Sequence, residues 1–202
     1  MENEKKSPQE IITTIRNAVV PKSRTEEENK EYCKKYPFLL WRGDPLYAGY
    51  NDDNSDYSFT WEDEMPYGWR KAFCPKIWDE LKEILIEGNY LNDFRFMQIK
   101  EKYGTLRLYY NDYPISLTDK LSDWEDKYYV LSEKYCFYCG NQVKYMIPGY
   151  ITYICEDCKN KLNEESVKRC GYKRRFVRIE DLDEYYNDEK AYFEKKDGKE
   201  YE

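Results

Sequence analysis

Seven cysteines and no histidine stand in this chain of 202 residues, and four of the cysteines fall into two close pairs. Cys136-Phe-Tyr-Cys139-Gly140 is the first and Cys155-Glu-Asp-Cys158-Lys159 the second, with fifteen residues between Cys139 and Cys155. Two residues between paired cysteines let the backbone curl until both sulfurs face one ion, and Gly140 supplies the left-handed backbone such a turn takes. The pattern C-x2-C-x15-C-x2-C has the spacing of a tetrahedral structural zinc site. Four thiolates fill the coordination sphere, so the zinc is expected to hold structure and not to react. A redox dithiol and two unrelated pairs are the competing readings, and iron the competing ion. Cys33, Cys74 and Cys170 lack paired spacing; each is expected to be a small buried residue, with Cys170 near enough to serve as a spare ligand.

Other chemistry is thinly signalled. Without histidine the commonest general acid or base and the usual near-neutral pH switch are missing. There is no phosphate-binding Gly-Lys loop, no G-x-S-x-G, no dinucleotide fingerprint and no H-E-x-x-H. An enzyme is not expected; were there catalysis, Asp, Glu, Lys or Tyr would carry the protons. Trp61-Glu62-Asp63-Glu64 reads as an exposed acidic turn. Just after the second cysteine pair, Lys168, Arg169, Lys173, Arg174, Arg175 and Arg178 alternate with Tyr172 and Phe176. Such a strip can track phosphates and stack bases. It can equally pair with the acids that follow it, Glu180, Asp181, Asp183 and Glu184.

Charge is unevenly placed around these features. Residues 136–178 carry nine Lys/Arg and four Asp/Glu, and residues 179–202 carry four and ten, within a chain of net charge −7. Leu, Ile, Val and Phe total only 39 of 202 residues, which together with that charge points toward disorder. The 23 tyrosines and five tryptophans argue for a folded chain with an aromatic core and surface. The first twenty residues are too charged for a signal peptide, and no apolar run is long enough to cross a membrane. A cytoplasmic protein with no membrane partner is the expectation.

The elements that must position the cysteines follow from periodicity. Ser7 and Pro8 open a helix with Ile11, Ile12, Ile15 and Val19 on one face. Thr25 and Glu28 form a capping box for a second helix that stops before Pro37. Phe38-Leu39-Leu40-Trp41 reads as buried, and 43–60 as a long loop. Ile77, Trp78, Leu81, Ile84 and Leu85 predict a helix ended by Gly88. Phe94 and Phe96 share a face that Met97 and Ile99 leave, so the next strand bulges or buries both sides. Leu106, Leu108 and Tyr110 form the second strand of a hairpin turning at Gly104. Ser116 and Asp119 cap a helix striped by Leu117, Leu121, Trp124, Tyr128, Leu131 and Tyr135, which leads straight to Cys136. Between the cysteine pairs, Val143, Tyr145 and Ile147 turn through Pro148-Gly149 into Ile151 and Tyr153. Cys155 and Cys158 then sit at a helix N-terminus, where the helix dipole favours thiolate.

The segments Pro37-Phe-Leu-Leu40, Met65-Pro-Tyr-Gly-Trp-Arg-Lys-Ala-Phe73 and Gln98-Ile-Lys-Glu-Lys-Tyr-Gly-Thr-Leu-Arg-Leu-Tyr109, with the two cysteine pairs, resemble a family of uncharacterised zinc-finger proteins. That family occurs in phages, prophages and low-GC Gram-positive bacteria, and the resemblance spans roughly 25–165. The chain departs from it at Thr105, where a second glycine is common, and in its acidic tail. No activity comes with the resemblance; it implies a mobile-element accessory protein, such as one that binds and blunts a bacterial defence component.

The expected fold is α+β: helices with a small antiparallel hairpin, and a C-terminal four-cysteine finger of treble-clef form, a zinc ribbon being the alternative. The expected division is an N-terminal helical arm at 1–24, a main domain at 25–135, the finger with its basic strip at 136–178, and an acidic tail at 179–202. The expected role is a non-enzymatic, zinc-stabilised protein that binds a partner protein in a bacterial or infected-cell cytoplasm, with nucleic-acid binding by the strip as the alternative.

Overall fold

The computed structural model describes residues 24–42 and 57–197, the last seven by their backbone alone. The helix expected over Ser7–Val19 and most of the loop expected at 43–60 lie outside the described residues. What remains is a mixed α and β structure of six helices and two small antiparallel sheets. No described helix is long and apolar enough to cross a membrane.

Helix α1 (Glu26–Lys35) starts at the expected capping box. The Glu28 carboxylate accepts from the Thr25 N–H at 2.7 Å, and the Thr25 hydroxyl accepts from the Glu28 N–H at 3.2 Å. Pro37–Leu39 then make one 3-10 turn that sends Phe38 and Leu39 into the core. Helix α2 (Tyr67–Phe73) and helix α3 (Lys76–Glu87) follow, and Gly88 ends α3.

Strands β1 (Phe96–Lys102) and β2 (Thr105–Tyr110) form the expected hairpin. Phe96 pairs with Tyr110 and Gln98 with Tyr109, so Met97 is the extra residue of a bulge. That one insertion shifts the side-chain phase and lets Phe96 and Ile99 face the same core. The turn is two residues, Tyr103 and Gly104, both left-handed at φ 53° and 77°, the arrangement whose twist matches the strands it joins.

Helix α4 (Thr118–Ser132) packs on β2 and α3. Its expected Ser116 cap is not made. Ile115–Leu117 form a 3-10 turn, Leu117 takes the capping position, and no side chain caps the helix. Burial decides this: Leu117 is 2% exposed and lies under Gly88, where a Cβ would come within 2.5 Å of it. Anchoring an apolar side chain there outweighs one capping bond.

The core is aromatic. Tyr36, Phe38, Trp69, Trp78, Phe94 and Phe96 are each at most 1% exposed. The Phe38 ring meets those of Trp78, Phe94 and Phe96 at centroid distances of 6.3, 6.1 and 6.1 Å, tilted or edge-on, as ring quadrupoles favour. Polar edges find partners: Trp124 Nε1 donates to the Ile77 carbonyl at 3.1 Å. A scarcity of aliphatic residues is thus made good by rings whose N–H and O–H groups are satisfied.

The reading of Trp61-Glu62-Asp63-Glu64 as an exposed acidic turn is overturned. The segment is a 3-10 turn in which Trp61 and Glu62 are 5% and 3% exposed. Asp63 folds back to accept from the Thr60 N–H at 2.9 Å and from Arg70 at 2.9 Å. Only Glu64 of the four faces solvent.

The C-terminal third forms the second sheet, in strand order β4–β3–β5. Strands β3 (Tyr145–Ile147) and β4 (Thr152–Ile154) are a hairpin, and β5 (Val177–Arg178) pairs with the free edge of β3. Helix α5 (Glu156–Cys170) covers one face of this sheet and helix α6 (Leu182–Asp197) the other. The acidic tail is therefore largely helical and docked: Leu182 and Tyr185 pack with Met146 and Val177.

Candidate metal centre and the basic strip beside it

Three local structures bring the four cysteines together. Past Ser132 the chain bends, and a Tyr135–Gln142 bridge closes a loop around Cys136 and Cys139. Inside it Gly140 donates to the Cys136 carbonyl at 2.9 Å, with Gly140 at φ 76°. The β3–β4 hairpin, turning at Gly149 with φ 84°, returns the chain beside this knuckle, where Phe137 N–H donates to the Tyr153 carbonyl at 3.0 Å. Cys155 then sits at the N-cap of α5 and Cys158 in its first turn.

The sulfurs of Cys136, Cys139, Cys155 and Cys158 all lie within 4.8 Å of one another, the Cys139 and Cys155 pair at 3.4 Å. A tetrahedral ion with metal–sulfur bonds of ~2.3 Å needs sulfurs about 3.8 Å apart, so this set fits one. The Cys136 thiol is held down at about 5. The Cys158 thiol donating to it is the first cause, and the N–H groups of Cys155, Cys139 and Tyr138 add to it. The same contact pushes Cys158 upward, and burial lifts Cys139 to about 11. Backbone donors aimed at a sulfur stabilise its thiolate, the form that binds metal.

The remaining cysteines stand apart from the cluster. Cys33 is buried, and burial raises its thiol to about 12; Cys74 is half-buried, its thiol raised by burial first and by Glu62 next. Cys170 is exposed, against the expectation of burial, and is not among the clustered ligands. It lies in the last turn of α5, about 1.5 Å per residue away from the ligand end of that helix.

Sequence reasoning missed how the knuckle is held. Gly68 in α2 donates its N–H to the Phe137 carbonyl at 3.0 Å, and Trp69 Nε1 donates to the Tyr135 carbonyl at 3.0 Å. A Cβ on Gly68 would lie 2.0 Å from the Cys136 carbonyl oxygen, and one on Gly140 2.5 Å from the Gly68 carbonyl oxygen. Two glycines thus let helix and knuckle touch backbone to backbone. The hairpin turn makes a second contact, since a Cβ on Gly104 would meet Tyr153 at 2.9 Å and Ile151 at 3.0 Å. The available signal was a glycine inside a helical segment, at Gly68.

Gly68→Ala therefore tests the docking through its sign. In a free helix the change would stabilise by up to about 1 kcal/mol. Here the obstacle is backbone, and moving it costs the Gly68–Phe137 hydrogen bond and overpacks the joint, a net loss of about 2 kcal/mol. The expected result is a lower urea midpoint with metal content unchanged, because no sulfur is touched. A raised midpoint would refute the close approach.

The six strip residues are distributed over three elements. Lys168 and Arg169 lie in the last turn of α5, where cations also offset the helix dipole. Gly171, left-handed at φ 77°, turns the chain, and Asn163 Oδ1 accepts from the Arg174 N–H at 3.1 Å, so the loop doubles back along α5. Arg178 is in β5 and pairs with Glu180 at 3.1 Å. Arg175 stacks on Tyr185 at 5.1 Å from the ring centroid. Among the described residues Lys168, Arg169, Lys173 and Arg174 form no ion pair, and all six cations are exposed. Pairing with the acidic tail is thus seen at one cation, not along the strip.

No protein-family model, no curated protein and no solved structure matches this chain.

Proposed function

We propose that this is a non-enzymatic binding protein in which zinc, held by Cys136, Cys139, Cys155 and Cys158, fixes a treble-clef finger that presents the 168–178 strip to nucleic acid. Zinc is favoured over other ions by an all-thiolate, histidine-free tetrahedral set. A knuckle that supplies two ligands, then a hairpin, then a helix N-terminus that supplies the other two favour the treble clef over a ribbon. With four thiolates on the ion, the metal contributes structure and no open position for substrate.

The observation that carries the nucleic-acid reading is the exposure of Lys168, Arg169, Tyr172, Lys173 and Arg174, basic and aromatic residues within seven positions, with no ion pair to the four cations among the described residues. Tyr172, 64% exposed, offers a stacking face between the cations. Four thiolates around one divalent ion bring the region's charge down by two, so the attraction is local and salt-sensitive. The test is Lys173→Glu with Arg174→Glu, measured by anisotropy of a labelled single-stranded oligonucleotide. Binding should weaken, and the slope of log K against log salt should fall by about 0.7 per cation removed. Undiminished binding would sink the reading.

A protein partner, in the mobile-element or defence setting that the resemblance implies, is the second reading. It is favoured by Tyr103 and Tyr150, 68% and 69% exposed at the tips of two hairpins that touch at Gly104. Exposed tyrosines are common binding anchors. Host capture that survives nuclease and is lost in Tyr103→Ala would favour this reading.

A further inference from the structure

Between the returning strip and α6 lies an open cleft of about 910 Å3 lined by both cations and carboxylates. Its arginines, Arg174, Arg175 and Arg178, come from the strip and β5, and its acids Asp181, Glu184 and Asp188 from the segment that runs into α6, with Phe176 also in the lining. The acids are three and four residues apart, which puts them on one face of the helical segment that starts α6. Like charges at that spacing weaken a helix, and here they share the cleft lining with three arginines. Among the described residues no ion pair joins Arg174 or Arg175 to Glu184 or Asp188. The sheet side of α6 is fixed by Tyr185 against Met146 and Val177, so the acidic side is built in and does not swing freely.

We infer that this bipolar cleft takes one strand of nucleic acid and rejects a duplex, an inference that rests on the nucleic-acid reading above. A single strand has one phosphate edge and one base edge. Its phosphates meet the arginines, a base can lie against Phe176, and the carboxylates accept hydrogen bonds from base amino groups, as carboxylates do from cytosine. A duplex shows phosphates on both outer edges. Whichever edge reaches Arg174 and Arg178, the other is driven against Glu184 and Asp188, and like charges repel. The acidic helix thus selects for a strand form, and the basic side supplies affinity.

The experiment compares a labelled twelve-nucleotide single strand with the corresponding duplex, using the full-length zinc-loaded protein and its Glu184→Gln/Asp188→Asn variant. Both acids are exposed, so neither change removes a buried contact. The wild type should prefer the single strand by about tenfold at low salt, and the variant should bind duplex more tightly, shrinking the preference to about threefold or less. Equal binding of both forms by the wild type would overturn the inference while leaving nucleic-acid binding in place. A preference that persists in the variant would also overturn it, since the acids would not be its source. Failure of the wild type and the variant to bind either form would overturn the underlying reading and the inference with it.

Discussion

Cys136→Ser or Cys158→Ser is expected to release close to one equivalent of zinc and to unfold residues 136–167. Structural zinc contributes an apparent ~10–16 kcal/mol in small metal-stabilised domains, far more than any contact in this finger. The satellite core behind the site is slight: Ile154, Cys136, Cys155 and Cys158 are its buried members. Without the ion nothing comparable holds the knuckle against the hairpin. The loss should also spread beyond the finger. Trp69 donates to the Tyr135 carbonyl and stacks edge-on with Phe137 at 5.6 Å, so freeing the knuckle uncovers a tryptophan of the main core. A red-shifted tryptophan emission and a lowered urea midpoint should accompany the metal loss. Cys33→Ser, Cys74→Ser and Cys170→Ser should each keep the full zinc content. Metal content unaltered in both Cys136→Ser and Cys158→Ser would refute the site.

The parts of this structure legible in the sequence are those set by local rules. The Thr25 box, the Gly88 stop, the Tyr103-Gly104 turn and the placement of Cys155 at a helix start depend on neighbours within a few residues. The bulge at Met97 was legible as a broken alternation between Phe96 and Ile99. The cysteine cluster was legible because two x2 spacings over one hairpin leave the sulfurs few other arrangements. What was hidden depends on distant partners. Gly68 hints at a close approach but names no partner: the knuckle that presses against it, at 2.0 Å from a Cβ to the Cys136 oxygen, lies far along the chain. Nothing near Ser116 reveals that Leu117 is wanted beneath Gly88. From its charge the acidic tail reads as a partner for the basic strip, and its Leu182 and Tyr185 are too few to signal docking on a sheet not yet in view.

Glu62 is the clearest case, and truncating it should cost about 3–5 kcal/mol, the range for stranding one member of a buried charge pair. In sequence it is one acid among three. In the fold it is 3% exposed and gathers donors from three directions. Arg24 gives both terminal nitrogens to Oε1 at 3.0 and 2.5 Å, Tyr32 gives its hydroxyl to Oε2 at 2.9 Å, and Trp78 gives Nε1 to Oε2 at 2.5 Å. The Arg24 guanidinium carbon also lies over the Tyr32 ring, 3.7 Å from its centroid. The carboxylate thereby ties the segment leading into α1 to α1 itself and to α3. Burial first, and the Glu62 charge next, push the Tyr32 hydroxyl well above the usual tyrosine range, so it stays protonated and keeps donating. Glu62→Ala removes every acceptor and leaves the guanidinium and the indole N–H without partners. Glu62→Gln keeps the shape and one oxygen but turns an N–H toward donors that cannot all reorient: the tyrosine hydroxyl can rotate, the indole cannot. Its loss should fall between Ala and wild type. Urea unfolding of the two variants checks the order, and the Arg24→Leu/Glu62→Leu double variant isolates the pair. Because that exchange removes both charges together, it should recover much of the loss seen for Glu62→Ala. Near-wild-type stability of Glu62→Ala would mean that these hydrogen bonds do not hold α1 to the core.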